Sequence, residues 1–182
     1  MKTQTMPDIA LPLPRRIFEQ GLSALNSIPN DLIALIARLS IAAVFWQSGQ
    51  TKVEGWMLSD TALYLFENEY KLPLVDPWLA AHLAAFAEHF FPILLVIGLA
   101  SRLSALALLG MTLVIEIFVY PAAWPTHGTW AACLLFIAAR GPGLISLDTL
   151  VAKWTRRRVS ATDPDASGGA SLGQATLHSR GL

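Results

Sequence analysis

The sequence has few charges for its length of 182 residues. Charged residues make up 14% of the chain, whereas an average soluble domain has about 25%. Hydrophobic residues make up 54%, and the mean hydropathy is +0.49. The 13 basic side chains balance 13 acidic ones, so the chain lacks the excess positive charge that drives nucleic-acid binding. The composition therefore predicts an integral membrane protein and argues against a nucleic-acid partner.

Metal and redox motifs are also missing. Cys133 is the single cysteine, which excludes an intramolecular disulfide, a zinc ribbon and an iron-sulfur cluster. His82 and His89 are seven residues apart, about 10 Å along a helix, so one metal ion cannot bind both. With no histidine in the other spans, no haem site is expected either. The chain has no phosphate-binding loop or nucleophile elbow, which argues against a hydrolase or a kinase. The expectation is a protein without independent catalytic activity.

Three stretches approach the 20 or so apolar residues that a membrane-spanning helix needs. They lie near residues 32–48, 78–98 and 103–120, and a weaker fourth lies near 128–147. The apolar run of the fourth ends at Arg140, where Gly141-Pro142-Gly143 should stop or bend the helix. The expected fold is an all-α integral membrane four-helix bundle.

Shorter segments flank these spans. Phe18, Leu22 and Leu25 fall on one face of a helix near residues 15–28, which predicts a helix lying in the membrane interface. After Arg158 the sequence has no periodicity, which is typical of disorder. We therefore expect a cytoplasmic tail with an interfacial helix over residues 1–30, a membrane domain over 31–150, and a basic, then disordered, cytoplasmic tail over 151–182.

The first loop carries its own helix signal. Ser59 or Asp60 is placed to cap a helix that continues into the rest of the loop. Three apolar or aromatic side chains would share one face of that helix: Leu63, Phe66 and Tyr70. This predicts a lid-like amphipathic segment over one end of the bundle.

The basic residues give the orientation. The first loop, residues 51–77, has two lysines against five acidic residues. Outside the spans, the other basic residues fall in the N-terminal tail, in the second loop at Arg102, and after the fourth span. By the positive-inside rule both termini are cytoplasmic and the first loop is outside.

Ionisable residues inside the spans are costly and call for a partner or a purpose. Arg38 lies six residues into the first span, about 9 Å deep, and Glu88 lies about 15 Å deep from the same side. An arginine side chain can bridge that difference, so we predict an intramembrane ion pair between Arg38 and Glu88. Such a pair either locks the helices together or takes part in proton or ligand binding.

A second polar group is predicted in the outer layer. Glu116 and His82 each lie about four residues from the outer ends of their spans, so they are level with one another. The candidate outer pocket consists of Gln47, Gln50, Lys52, His82 and Glu116. The alternative is that Glu116 and His82 are only close to the lipid headgroups and hydrated.

Three separated blocks carry a family resemblance. Arg38 is followed by Gly49 and Lys52, then by the block AEHFFPILLVIGLASRLSALALLGMTLVIEIFVYPAAWPTHGTW, and then by RGPGLISLD from Arg140 to Asp148. Their order, spacing and residue types resemble the DoxX family of small four-helix bacterial inner-membrane proteins. The resemblance implies that the recurring polar positions are Arg38, Lys52, Glu88, Arg102, His127 and Asp148, with Arg140 opening the last block.

The resemblance also implies the class of function. Some members are similar to the small subunit of a thiosulfate:quinone oxidoreductase, and others are linked to thiol and oxidative-stress complexes. This chain looks most like members that lie beside proteins of copper- or metal-stress and peptide-modification clusters. The hypothesis is an auxiliary subunit of a redox or metal-stress module that docks a quinone headgroup or a membrane or periplasmic partner. The alternatives are a small proton-coupled carrier using Glu88 and Glu116, and a structural scaffold.

Overall fold

The computed structural model describes residues 13–70 and 72–162. Within them the protein is mostly helical, with a two-stranded antiparallel ribbon in the first loop, where Val53 lies opposite Leu58. Most of the tail expected to be disordered, and the first twelve residues, lie outside the described residues. The helices and strands are α1 (Leu13–Asn26), α2 (Asn30–Gln50), β1 (Val53–Glu54), β2 (Met57–Leu58), α3 (Asp60–Leu65), α4 (Pro77–Ile97), α5 (Ser101–Val114), α6 (Trp124–Arg140) and α7 (Leu147–Thr162).

Two helices continue into π-helical turns. The first π turn, Phe66–Tyr70, follows α3, and the second π turn, Ile115–Val119, follows α5. Single π turns inside or beside α-helices are frequent at functional sites because the extra residue in the turn redirects side chains. Both turns lie at the same end of the helix group and contact each other.

Within residues 13–70 and 72–162, three helices are long and apolar enough to cross a membrane: Asn30–Gln50, Pro77–Ile97 and Ser101–Val119. Their bounds agree with the first three predicted spans to within two residues. The fourth predicted span differs, because α6 begins four residues earlier, at Trp124, and ends at Arg140. Gly141 and Gly143 have φ of 89° and 83°, a left-handed conformation that ends the helix, so the predicted extension to residue 147 is wrong.

Small residues let these helices approach closely. α2 packs against α4 and α6, and α5 packs against the same two helices. Eight buried alanines lie in α2, α4 and α5, while larger side chains such as Leu103 and Ile117 face outward. This distribution is typical of membrane helices, which associate through close packing rather than by burying large apolar groups. The inward alanines are Ala34, Ala37, Ala42, Ala80, Ala81, Ala84, Ala85 and Ala105.

The shorter predicted helices are present. α1 covers most of the segment predicted to be helical near residues 15–28, and Phe18, Leu22 and Leu25 are exposed on it. Its placement at a membrane interface stays a prediction. In the first loop Ser59 caps α3, because its hydroxyl accepts a hydrogen bond from the Ala62 N–H at 3.1 Å. Phe66, at the start of the first π turn, packs against alanines of α4. The lid-like segment therefore packs against α4.

α7 is longer than the sequence indicated. It continues through Thr162, whereas disorder was expected directly after Arg158. Its start is fixed by Asp148, whose carboxylate accepts hydrogen bonds from the N–H groups of Ala100 at 2.8 Å and Ser101 at 2.9 Å. The Asp148 N–H donates in turn to the Gly98 carbonyl at 2.9 Å. The beginning of α7 is thus tied to the turn between α4 and α5.

Candidate functional site

A cavity of about 450 Å³ lies among α2, α4, α5, α6 and the first loop. Its wall is mainly apolar and aromatic, and both π turns contribute to it. A polar patch is formed by Ser48, Lys52, Glu88 and His127. The aromatic lining residues are Phe45, Phe66, Tyr70, Tyr120 and Trp130. An apolar cavity with a few converging polar groups is the usual form of a small-molecule site.

A buried ion pair forms one side of the cavity. Lys52 Nζ lies 2.7 Å from Glu88 Oε2, and the Glu88 side chain is 1% exposed. The Ser48 hydroxyl donates to Glu88 Oε1 at 3.2 Å and accepts from Lys52 Nζ at 3.1 Å. Glu88 Oε2 has no aligned hydrogen bond within residues 13–70 and 72–162. The close contact with the lysine is therefore ionic, and one carboxylate oxygen is left short of a donor.

The predicted ion pair between Arg38 and Glu88 is wrong, and the direction of side chains on helices explains the error. Side chains lean toward the N-terminus of their own helix. Because α2 and α4 are antiparallel neighbours, Arg38 leans toward one end of the bundle and Glu88 toward the other. The depth estimate placed their Cα positions within reach but ignored this divergence. Lys52, beyond the C-terminal end of α2, is the cation that Glu88 meets.

Arg38 instead holds four backbone carbonyls. Its Nε donates to Leu95 O at 2.8 Å and its Nη2 to Val96 O at 3.1 Å. Its Nη1 donates to Pro142 O at 2.6 Å and Ile145 O at 2.9 Å. The last carbonyls of a helix have no partner within it, so the guanidinium satisfies the end of α4 and ties it to the loop after α6. We define these four bonds as the Arg38 clamp.

A second pair of hydrogen-bonded side chains borders the cavity. His127 Nδ1 donates to Glu116 Oε2 at 2.6 Å, and the side chains are 6% and 15% exposed. Glu116 lies in the second π turn. With Nδ1 held in this way, Nε2 is the ring nitrogen left for a ligand, and it has no hydrogen-bond partner in the described part of the chain. The pair is present because α6 begins one turn before the predicted span and brings His127 level with Glu116.

The predicted outer pocket comes together only in part. Lys52 lines the cavity and Glu116 reaches it through His127, but Gln47, Gln50 and His82 are not among the lining residues. Gln47 is exposed, while the Gln50 amide donates to His89 Nε2 at 3.0 Å. His82 donates from Nδ1 to the Trp78 carbonyl at 2.8 Å. Gln50 therefore meets His89 rather than His82, which lies seven residues, about 10 Å, away along α4.

Two tyrosines join the π turns beside the cavity. The hydroxyls of Tyr70 and Tyr120 are 3.4 Å apart, and their rings meet edge to face with centroids 5.8 Å apart. Burial raises the pKa of the Tyr70 phenol, and the hydrogen bond with Tyr120 raises it further. The sequence reasoning did not identify Tyr120 as a site residue. Its position directly after the third apolar run gave no signal of a contact with the first loop.

The remaining family-like positions lie at the opposite end of the bundle. Arg102 Nη1 donates to the Ala138 carbonyl at 3.1 Å, so it ties α5 to α6. Arg140 is the exposed last residue of α6, and Asp148 caps the start of α5 as described above. None of the three lines the cavity. The contacts of Arg102 and Asp148 join neighbouring helices and turns.

Comparison with known proteins agrees with the sequence resemblance. Residues 33–121 match the family model described as DoxX, which confirms the resemblance. A protein of Haemophilus influenzae named as an uncharacterized protein is 27% identical over 144 residues, covering 71% of this chain and 89% of that protein. No solved structure matches the chain. His127, Arg140 and Asp148 lie beyond the matched segment, so their roles depend on the contacts described here.

Proposed function

Because the chain belongs to the DoxX family, we propose that it is an auxiliary subunit of a redox or metal-stress module of the bacterial inner membrane, whose cavity docks a quinone headgroup. The observation that carries this proposal is the cavity itself. It combines an apolar, aromatic wall with a buried polar patch among helices that are apolar enough to cross a membrane. A membrane-dissolved ligand with a ring and polar substituents matches that combination.

The lining residues fit such a headgroup. The volume of about 450 Å³ falls within the range of small-molecule sites, roughly 300 to 1,000 Å³. Phe45 and Trp130 contact each other, with ring centroids 5.6 Å apart, and would form an aromatic surface for a flat ring to pack against. Lys52 and the Tyr70 and Tyr120 hydroxyls would donate to ring oxygens, and His127 Nε2 would accept from a ring hydroxyl. A bound quinone would supply electron- and proton-accepting capacity, while this chain would bind and orient it.

The topology is part of the same proposal. α6 has 17 residues and is about 26 Å long, close to the thickness of the hydrocarbon core. We take it as the fourth span of a domain covering residues 31–150, with both termini cytoplasmic. The concentration of basic residues at the end away from the cavity supports this orientation. Reporter fusions at both termini test it, because both should report the cytoplasmic side.

The docking proposal is tested by ligand binding to the purified full chain in lipid nanodiscs. Titration with decylubiquinone and a short-chain menaquinone should quench tryptophan fluorescence with saturation. Ala87 lines the cavity, so Ala87→Phe should weaken binding at least tenfold. Ala43 is exposed on α2 and away from the cavity, so Ala43→Phe is the matched control and should bind normally. Ala87→Leu provides a milder filling variant if the larger ring prevents folding.

Two outcomes would overturn this proposal. One is wild-type protein that binds neither quinone and retains no partner after purification in a gentle detergent. The other is equal binding by the Ala87 variants and the Ala43 variant, which would place the ligand outside the cavity.

A proton-coupled carrier is the second candidate, because two carboxylates, each with an ionic or hydrogen-bonded partner, border one cavity. It predicts that wild-type protein in liposomes carries a proton flux and that Glu88→Gln abolishes it. On the docking proposal, liposomes with either protein show only the leak of empty vesicles. The carrier would be favoured if the wild-type protein gives a proton flux above the leak of empty vesicles and a folded Glu88→Gln variant does not.

A further inference from the structure

Besides the exposed face of α1, a second amphipathic surface is used neither by the cavity nor by the packing of the helices. It lies on α7, where four apolar side chains repeat at helical spacing and point to one face. The exposed fractions of these side chains are 40% for Leu147, 59% for Leu150, 54% for Val151 and 56% for Trp154. Exposure of such an apolar face to water is unfavourable, so we expect a lipid surface or another protein to cover it.

The level of α7 indicates what covers it. Asp148 binds the backbone between the end of α4 and the start of α5, which are also ends of two apolar segments that can cross a membrane. The first turn of α7 therefore lies at the boundary of the apolar layer. A helix that begins at this boundary with one apolar face is suited to lie along the membrane surface.

The charges beside the apolar face indicate which lipid. Lys153, Arg156 and Arg157 lie along one flank of α7 by helical spacing, and they make no ion pair or hydrogen bond with the described residues. The nearby carboxylates Asp31 and Asp148 are occupied by backbone N–H groups of Leu144, Ala100 and Ser101. The positive charge of this flank is thus not neutralised within the described part of the protein.

We infer that α7 is a membrane-surface helix that binds anionic phospholipid headgroups through Lys153, Arg156 and Arg157, with Trp154 and its apolar neighbours in the interface. Anionic headgroups complement the basic flank, and a tryptophan ring is favoured at the depth where headgroups meet acyl chains. The binding does not depend on what occupies the cavity.

The test uses the full chain in vesicles that contain brominated phosphatidylglycerol or, at equal mole fraction, brominated phosphatidylcholine. Bromine quenches nearby tryptophans, and subtracting the signal of Trp154→Phe isolates Trp154 from the other five tryptophans. We expect Trp154 to be quenched at least twice as strongly by the anionic lipid. The preference should shrink in high salt because ionic screening shortens the range of attraction.

Charge variants complete the test. K153Q/R156Q/R157Q should make the two lipids quench equally, while the charge-conserving K153R/R156K/R157K should keep the preference. Equal quenching of wild-type Trp154 by both lipids would overturn the inference, as would a preference that survives the glutamine variant. Protection of Trp154 from brominated lipid and from acrylamide together would indicate a protein partner on α7 and would also overturn it.

Discussion

Arg38 is a buried cation in α2 and Lys52 is a partly buried cation just past its end, yet the protein satisfies them in opposite ways. Arg38 donates to four backbone carbonyls, which are fixed by the chain path and cannot titrate. Lys52 meets a carboxylate that lines a cavity. The end of the bundle that holds Arg38 is closed and structural, whereas the end that holds Lys52 borders the cavity and is open to a ligand. A buried charge in a membrane helix is therefore a guide to function only once its partners are known.

The largest expected effect comes from removing the Arg38 clamp. Arg38→Met removes the guanidinium from four carbonyls, of which Leu95 O keeps a hydrogen bond from the Gly98 N–H. Each buried group left unsatisfied costs about 1 to 3 kcal/mol. We expect the free energy of unfolding to fall by about 4 kcal/mol or more, measured by SDS titration in mixed micelles. Arg38→Lys keeps the charge but not the planar fork, so it should lose less. A loss under about 1 kcal/mol for Arg38→Met would contradict the structural role.

A backbone change beside the same clamp should come next. Gly98 has φ of 72°, and a Cβ there would lie 2.9 Å from Ser146 Cα and 3.1 Å from Arg38 Nη2. Strain in the left-handed region and this backbone clash together should lower the free energy of unfolding by about 3 kcal/mol for Gly98→Ala. Gly110, with open space around its Cβ position, is the matched control. Gly110→Ala should be neutral or stabilising by up to about 1 kcal/mol.

Substitutions at Lys52 and Glu88 should affect stability differently from substitutions at the Arg38 clamp. Lys52→Met leaves the Glu88 carboxylate buried without its cation, and we expect a loss of about 2 to 3 kcal/mol in the free energy of unfolding. Adding Glu88→Gln should recover at least half of that loss, since no buried charge then remains. Unfolding of both single variants and the double variant forms a double-mutant cycle. Additive losses would show that the two groups are not coupled and would remove the contrast with Arg38.

The smallest effect is expected at the tyrosines that join the π turns. Tyr120→Phe should lower the pKa of Tyr70 toward its usual value. The substitution removes the hydrogen bond with Tyr120, which raises this pKa, while the burial that also raises it remains. A raised pKa means that the fold favours the neutral phenol. This contribution to stability is therefore present at neutral pH and declines as the pH rises above about 10. Absorbance titration at alkaline pH measures the shift, and Tyr64→Phe, at an exposed position, is the control.

The sequence predicted the spans well and the partners of the polar residues poorly. Apolar runs located α2, α4 and α5 because hydropathy sets where helices can cross a membrane. Ser59 was recognisable as a cap because the rule is local. The pairing of Glu88 with Lys52 depends on side-chain direction and on a two-residue bend after α2, neither of which depth along a helix reveals. His127 came only from family resemblance, since the predicted start of the fourth span excluded it.

The Arg38 clamp also sets an order of assembly. Arg38 is synthesised early, but two of its acceptors, on Pro142 and Ile145, follow 104 and 107 residues later. While α2 enters the bilayer, its guanidinium has none of these carbonyls to bind. The clamp is therefore completed only when the loop after α6 arrives, and a chain cut short before that loop would leave the guanidinium with only its two acceptors on α4.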